Sequence, residues 1–425
     1  MTIKRIFQPV TADLGDIVEK YRPQLEPFEA IYRRLHATPE LSSQEEQTAA
    51  VAATHLENLG FEVHTKIGGH GVAGVLHNGP GKTVLLRADM DGLPVLEKTG
   101  LEYASKKRMI DSDGVEKPTM HACGHDTHVT SLMAAATILY SSRTHWSGTL
   151  ICVFQPAEEH LNGAQAMVDD GLYDKIPKPD IVLGQHVMRM KTGTVAVLAG
   201  PILTASDSFS VRIYGRGGHG SMPHNCIDPI VIGCSLVSRL QTIVSREVTP
   251  GELAVVTCGS IHSGDAENVI PDFLDLKLNV RTYNSEIRER VLGALHRIIE
   301  AECQASGAVE RPTIKHTFSS PSTVNDGAAV EKLKGAFNPY FKDRMVESKP
   351  STASEDFSIL ATAVGAPYVY WNFGGVDAEK WEDAKAREKL EELPVNHSPF
   401  FAPVIEPTLK TGIDAMSLAA LAFFQ

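Results

Sequence analysis

Long apolar runs are missing from this 425-residue chain, and none approaches the ~18–20 residues that a membrane-crossing helix needs. Cysteine is scarce. The six present, Cys123, Cys152, Cys226, Cys234, Cys258 and Cys303, follow no repeated spacing, which speaks against a disulfide framework and for reduced thiols in a cytosol. Surplus positive charge is lacking too: 40 Lys and Arg against 52 Asp and Glu leave a net charge of −12, a poor match to nucleic acid or an anionic membrane. Met1 to Val10 carries Lys4 and Arg5 but no sustained apolar stretch, so no secretory signal is expected there. Internal repeats are absent, and so is the G-x-x-x-x-G-K-[ST] phosphate loop, which removes nucleotide binding through that motif. With 43% hydrophobic and 22% charged residues the chain is globular, and its length calls for two domains.

The hydrophobic periodicity divides the chain into three parts. Leu25, Phe28, Ile31, Tyr32 and Leu35 recur at helical spacing, and a second helix is expected from about Ser43 to Leu59, with Ser42 or Ser43 as its cap and Glu45 and Glu46 in its first turn. Strands follow from Phe61, Gly71 and Thr83, then a helix over 127–140, a strand over 149–154, a helix over 163–170 and a strand from Ile181. The run after Thr83 is continuously apolar, as for a strand buried on both faces. This alternation reads as an α/β domain, a mixed sheet covered by helices. Near residue 200 the texture changes. Segments 207–215, 253–261, 272–283 and 311–318 alternate like strands, while 226–246 and 286–304 are amphipathic helices, the β-α-β-β-α-β order of a ferredoxin-like α+β unit. After about 325 helices return, near 327–342, 354–362 and 408–423. The expected plan is a catalytic domain built from residues 1–199 and 320–425, interrupted by a lid over 200–319.

Chemistry concentrates at the ends of the predicted strands, where α/β sheets bind ligands. His121-Ala-Cys123-Gly-His125-Asp126-Thr-His128 places three histidines, a thiol and a carboxylate directly before an apolar helix. Thiolate and imidazole are ligands for a borderline-soft divalent ion, and the glycine lets both donors converge. A polar loop capping a helix is the plainer reading. Gln155-Pro-Ala-Glu158-Glu159 follows a strand; adjacent carboxylates repel unless one binds a cation and the other takes a proton, although exposed acids opening a helix would look the same. His186 follows another strand and His397 lies near the C-terminus, and a lone histidine is more often structural. Asp89 and Asp91 suit the orientation of a ligand histidine. In the lid, His219 sits on a glycine-rich turn from which it could donate to an oxyanion, and Arg281, 13 residues after Asn268, could clamp a carboxylate; a surface ion pair is the plainer alternative. Taken together, these donors suffice for two metal ions plus one spare glutamate.

In order along the chain, RADMDGLP, HACGHDTH, QPAEE, GQHV, GRGGHGSMPH, NVIPD, VRTY, SEDF and NHSPF resemble the metal-dependent amidohydrolases of the aminoacylase, hippurate hydrolase and indole-acetyl-amino-acid hydrolase kind, within the zinc-peptidase-like superfamily. The resemblance implies Cys123 as a bridging ligand between two divalent ions, Glu159 and His397 on one and His125 and His186 on the other. Zinc suits the thiolate, and manganese, cobalt or nickel suits a mixed site. It implies Glu158 as general base and acid, Asp91 behind a ligand, His219 on the oxyanion, often from a partner subunit's lid, and Asn268 and Arg281 on the substrate's amide oxygen or carboxylate. The implied activity is hydrolysis of N-acyl amino acids or amino-acid conjugates, with a carboxypeptidase or dipeptidase as the alternative. A homodimer through the lid is implied as well. Two departures stand out: a glycine follows His219 where relatives often have alanine, and the polar insertion 106–117 bears on the pocket rim and hence on specificity.

Overall fold

The computed structural model describes residues 13–425, so the residues read above for a signal sequence lie outside the described part. The chain divides into two compact units. One runs through Gly200 and resumes over Asn325–Lys349 and Asp356–Gln425; the other comprises Pro201–Val324 and Pro350–Glu355. Residues 320–324 and 350–355, which the sequence reading gave to the second part of the catalytic domain, cluster with the second unit.

In the first unit seven strands form a mixed sheet in the order Glu62–Ile67, Gly71–Asn78, Gly148–Gln155, Thr83–Asp89, Ile181–Lys191, Tyr368–Val376, Val195–Ala196. Thr83–Asp89 lies parallel to both neighbours. Leu85, Leu86, Phe154 and Leu183 are fully buried, each worth about 1.5–3 kcal/mol of apolar burial. The strand Tyr368–Val376 was not expected from the sequence; its apolar run pairs parallel to Ile181–Lys191 and brings Asn372 opposite His186. Helices His125–Ser141 and Ile405–Phe424 pack against each other and are buried almost throughout, as befits helices that are apolar on all sides.

The second unit has a four-stranded antiparallel sheet in the order Ala254–His262, Phe273–Thr282, Ala205–Tyr214, Thr313–Ser320. Strict alternation sends Phe209, Val211 and Ile213, with Leu274, Leu276, Leu278 and Val280, into a core shared with helices Pro229–Thr242 and Ser285–Ala305. Asp228 and Asn284 cap those helices by accepting from backbone N–H groups of the first turn. The connectivity is that of a ferredoxin-like unit. Among the described residues no helix is long and apolar enough to cross a membrane.

Candidate metal centre

The first unit gathers its candidate ligands by local backbone devices. Gly124 adopts φ +86° just before helix His125–Ser141, and a Cβ there would lie 2.5 Å from Val187 Cγ1. Only glycine lets the chain turn so sharply between Cys123 and His125. From the far end of the sequence, Asn396 donates through Nδ2 to the carbonyls of Cys123 (3.1 Å) and Val187 (3.0 Å), and the His397 N–H donates to Ala122 O (2.8 Å). One asparagine thus ties together the segments carrying Cys123, His186 and His397.

Second partners then fix which nitrogen of each ring is free. His125 Nδ1 donates to Asp91 Oδ1 at 3.1 Å, leaving the Nε2 lone pair outward. His186 Nδ1 donates to Val187 O at 2.7 Å, so Nε2 is again the lone-pair nitrogen, 3.4 Å from Cys123 Sγ. His128 lies within the same cluster as Asp89, His125 and His186, yet it has no lone pair to offer: Nδ1 bonds Asp89 Oδ1 and Nε2 accepts the Val187 N–H. Asp89, whose role the sequence left open, places its other oxygen 2.7 Å from the buried Arg87 guanidinium.

Cys123, His125 and Glu159 bring one donor atom each within 4.8 Å of one another. Glu159 Oε1 lies 3.2 Å from His397 Nε2 and 3.9 Å from His125 Nε2. Donors sharing a tetrahedral ion at ordinary bond lengths stand about 3.4 Å apart, a spacing that the Glu159–His397 pair meets. Two of the atoms, His125 Nε2 and Glu159 Oε1, are buried with no hydrogen-bond partner among the described residues, a costly state unless something else binds them. The residues fit divalent metal.

The charges agree. Burial disfavours the His125 cation, but the carboxylates of Asp89, Asp91 and Glu159 outweigh it and lift its pKa to about 10, so a metal ion at Nε2 would take the place of a proton. Burial, then Glu159, Glu158 and Asp89, push the Cys123 thiol well up, while burial and the neighbouring His128 hold His186 well down. This surplus of negative groups is what cations would balance. Glu158 is 5% exposed, with Oε2 3.8 Å from His125 Nε2.

In the second unit, His219 and Asn268 share a two-stranded ribbon: His219 pairs with Val269, and the Gly220 N–H donates to Asn268 O at 2.8 Å. His219 is exposed, and its Nδ1 accepts from the Ser221 N–H (3.1 Å) and hydroxyl (2.8 Å), which leaves the proton on Nε2. Arg281 is held by Asn279 Oδ1, Thr352 O and Ser354 Oγ.

Sequence reasoning missed Ser42, whose hydroxyl donates to Asp91 Oδ2 at 2.6 Å, and Glu45, whose Oε1 accepts the Ala157 N–H at 2.8 Å. Both look like helix-start residues, and only the fold reveals these long-range partners. The cap of helix Glu46–Asn58 falls at Glu45 rather than at Ser42 or Ser43.

Residues 85–396 match the family model "Peptidase family M20/M25/M40". A hippurate hydrolase of Campylobacter jejuni is 39% identical over 347 residues, 81% of this chain and 87% of that protein. Thermostable carboxypeptidase 2 of Saccharolobus solfataricus is 34% identical over 418 residues, 96% of this chain and 99% of its own. Among solved structures, a dinuclear metal binding peptidase of the M20 family from Bacillus subtilis superposes with a TM-score of 0.74 at 27% identity, covering 93% of this chain and 97% of that one. With nearly three quarters of its length inside the family model and relatives this similar over most of their own length, the chain belongs to peptidase family M20/M25/M40.

Proposed function

We propose that this enzyme hydrolyses the amide bond of N-acyl amino acids or amino-acid conjugates, using two divalent ions and Glu158. Cys123, His125, Glu159, His186 and His397 would hold the ions, Glu159 and His397 one, His125 and His186 the other, with Cys123 serving both; zinc is the first choice for a thiolate-containing set. Ions bound there would polarise the scissile carbonyl and acidify a water molecule. Glu158 takes the proton of the attacking water and returns it to the departing amine nitrogen. His219, protonated on Nε2, donates to the oxyanion of the tetrahedral adduct. Asn268 and Arg281 hold the amide oxygen and the free carboxylate of the amino-acid half. Asp91 orients His125.

The single observation that carries the reading is the pair of buried donor atoms, His125 Nε2 and Glu159 Oε1, that lack a hydrogen-bond partner among the described residues, beside Glu158. Catalysis is assigned to residues 1–199 and 320–425, and substrate capture to the lid over 200–319. A homodimer through the lid is supported by the exposed Ile230 and Val231 on helix Pro229–Thr242 and by the edge strand Ala254–His262, which among the described residues has one sheet neighbour and exposes Val255 and Ile261. Six free cysteines suit the cytosol. A second reading, cleavage of short peptides, is favoured by the carboxypeptidase relative.

Metal analysis of the purified protein, with N-acetyl, N-benzoyl and dipeptide substrates, tests both. Two ions per chain and preference for acyl amino acids are expected; dipeptide preference would favour the second reading. Glu158→Gln should lower turnover by at least about 10²–10⁴-fold with metal content unchanged. Turnover that survives chelation, or that survives this substitution, would refute the mechanism.

A further inference from the structure

The turn that carries Glu158 and Glu159 adopts a backbone path that its own residues disfavour. Ala157 and Leu161 both have φ +50°, a region sparsely populated by residues with a Cβ. Gly163 packs so closely that a Cβ there would lie 1.6 Å from Pro156 O. Such a segment keeps its shape only where neighbours over-determine it.

Two of those neighbours come from one short stretch more than a hundred residues upstream. Glu45 Oε1 accepts the Ala157 N–H (2.8 Å) and the Ser43 N–H (2.7 Å). Ser42 Oγ donates to Asp91 Oδ2 (2.6 Å), the same oxygen that accepts the Glu159 N–H (3.0 Å). Neither side chain serves the helix that follows. The first amides of Glu46–Asn58 are taken by Glu40, which accepts from the N–H groups of Gln47 and Thr48 and from the Thr48 hydroxyl. Glu45 is fully buried, with Oε2 lacking a partner among the described residues. Burial, then the charge of Asp91, raises its pKa to about 8, so it is largely neutral at pH 7 and a glutamine should replace it well.

We propose that Ser42 and Glu45 are positioning residues for the reaction, a clamp in which Glu45 sets the placement of Glu158 through the Ala157 N–H while Ser42 sets that of Glu159 through Asp91. The inference rests on the roles proposed above for Glu158 and Glu159. A displacement of about 1 Å at a reacting group can cost ~10²-fold in rate, so a clamp that touches neither metal nor substrate should act on kcat.

The experiment compares kcat, KM, bound metal and Tm for Glu45→Ala, Glu45→Gln and Ser42→Ala in the full-length, metal-loaded enzyme, with Glu158→Gln in parallel. Glu45→Ala is expected to lower kcat by roughly 10–100-fold with KM and metal stoichiometry unchanged. Glu45→Gln, which keeps the acceptor oxygen, should restore kcat to within about threefold of the parent, and Ser42→Ala should lower it by about 3–10-fold. If Glu45→Ala does not fold, Glu45→Asp is decisive, because its shortened carboxyl withdraws from Ala157 and should still lower kcat about tenfold. Wild-type kcat in a folded Glu45→Ala or Glu45→Asp protein overturns the clamp, as does a Glu45→Gln variant no better than Glu45→Ala, or a loss that merely follows lost metal. Turnover retained by Glu158→Gln would instead overturn the functional reading on which the clamp rests.

Discussion

The two units present their candidate functional side chains in opposite ways. In the first, Cys123, His125, Asp89, Asp91 and Glu158 are buried, His125 Nε2 and Glu159 Oε1 are among the buried atoms with no hydrogen-bond partner in the described residues, and negative charge accumulates. In the second, His219 and Asn268 are exposed, and His219 has its Nδ1 satisfied by Ser221. Buried polar atoms are expensive unless paired, so the first unit has the character of a preformed cation site whose fold carries an electrostatic cost. The second presents solvated groups that can engage a ligand without being desolvated beforehand. Removing a charge should therefore have very different consequences in the two.

The sharpest way to break this contrast is at Arg87, which is fully buried between Asp89 and Asp356. Arg87→Ala leaves those carboxylates without the cation and should cost about 3–5 kcal/mol of stability; chemical denaturation showing less than about 1 kcal/mol would mean that the buried charges are not energetically linked. Next comes pH. Burial disfavours the His36 cation, yet bonds to Asp126 (2.7 Å) and Glu97 (3.1 Å) raise its pKa to about 9 from an ordinary 6.5. A raised histidine stabilises the fold fully below about pH 6.5 and ceases to do so as pH rises through 9. Denaturation midpoints should accordingly fall over that window, by roughly 3 kcal/mol in stability, and His36→Asn should flatten the curve. An equally steep curve in that variant would assign the effect elsewhere. The smallest effect is expected in the second unit. Arg281→Ala should change stability by no more than about 0.5 kcal/mol while raising KM chiefly for substrates with a free carboxylate. Equal KM changes for substrates lacking one would remove the clamp role, and a large loss of stability would erase the contrast between the units.

How far the molecule was readable in advance varies with the range of the interactions involved. The ferredoxin-like order was legible because alternation at Phe209, Val211 and Ile213 is a local property, and the glycine between Cys123 and His125 marks a sharp turn within three residues. Strand Tyr368–Val376 went unread: a short apolar run flanked by Pro367 and Gly374 does not declare its state without the neighbour it pairs with. Ser42 and Glu45 look like ordinary residues at a helix start, and nothing nearby distinguishes them from Glu46. Asp89 and Asp91, two residues apart on the same motif, diverge only in three dimensions, one bound to His128 and Arg87, the other to His125 and Ser42.

The sequence by itself determined the donor types, the excess of acid and the periodicities that make one sheet largely buried and the other two-faced. These follow from side-chain chemistry and from spacings of a few residues. Only the tertiary structure decided which histidine nitrogens keep a lone pair, that His128 is spent on Asp89 and a backbone N–H, and that residues 42–45 brace a turn beyond position 155. Those outcomes depend on hydrogen-bond partners brought together across dozens to hundreds of residues, and a ring's tautomer or a buried carboxyl's charge is set by the partner it meets rather than by its neighbours in the chain.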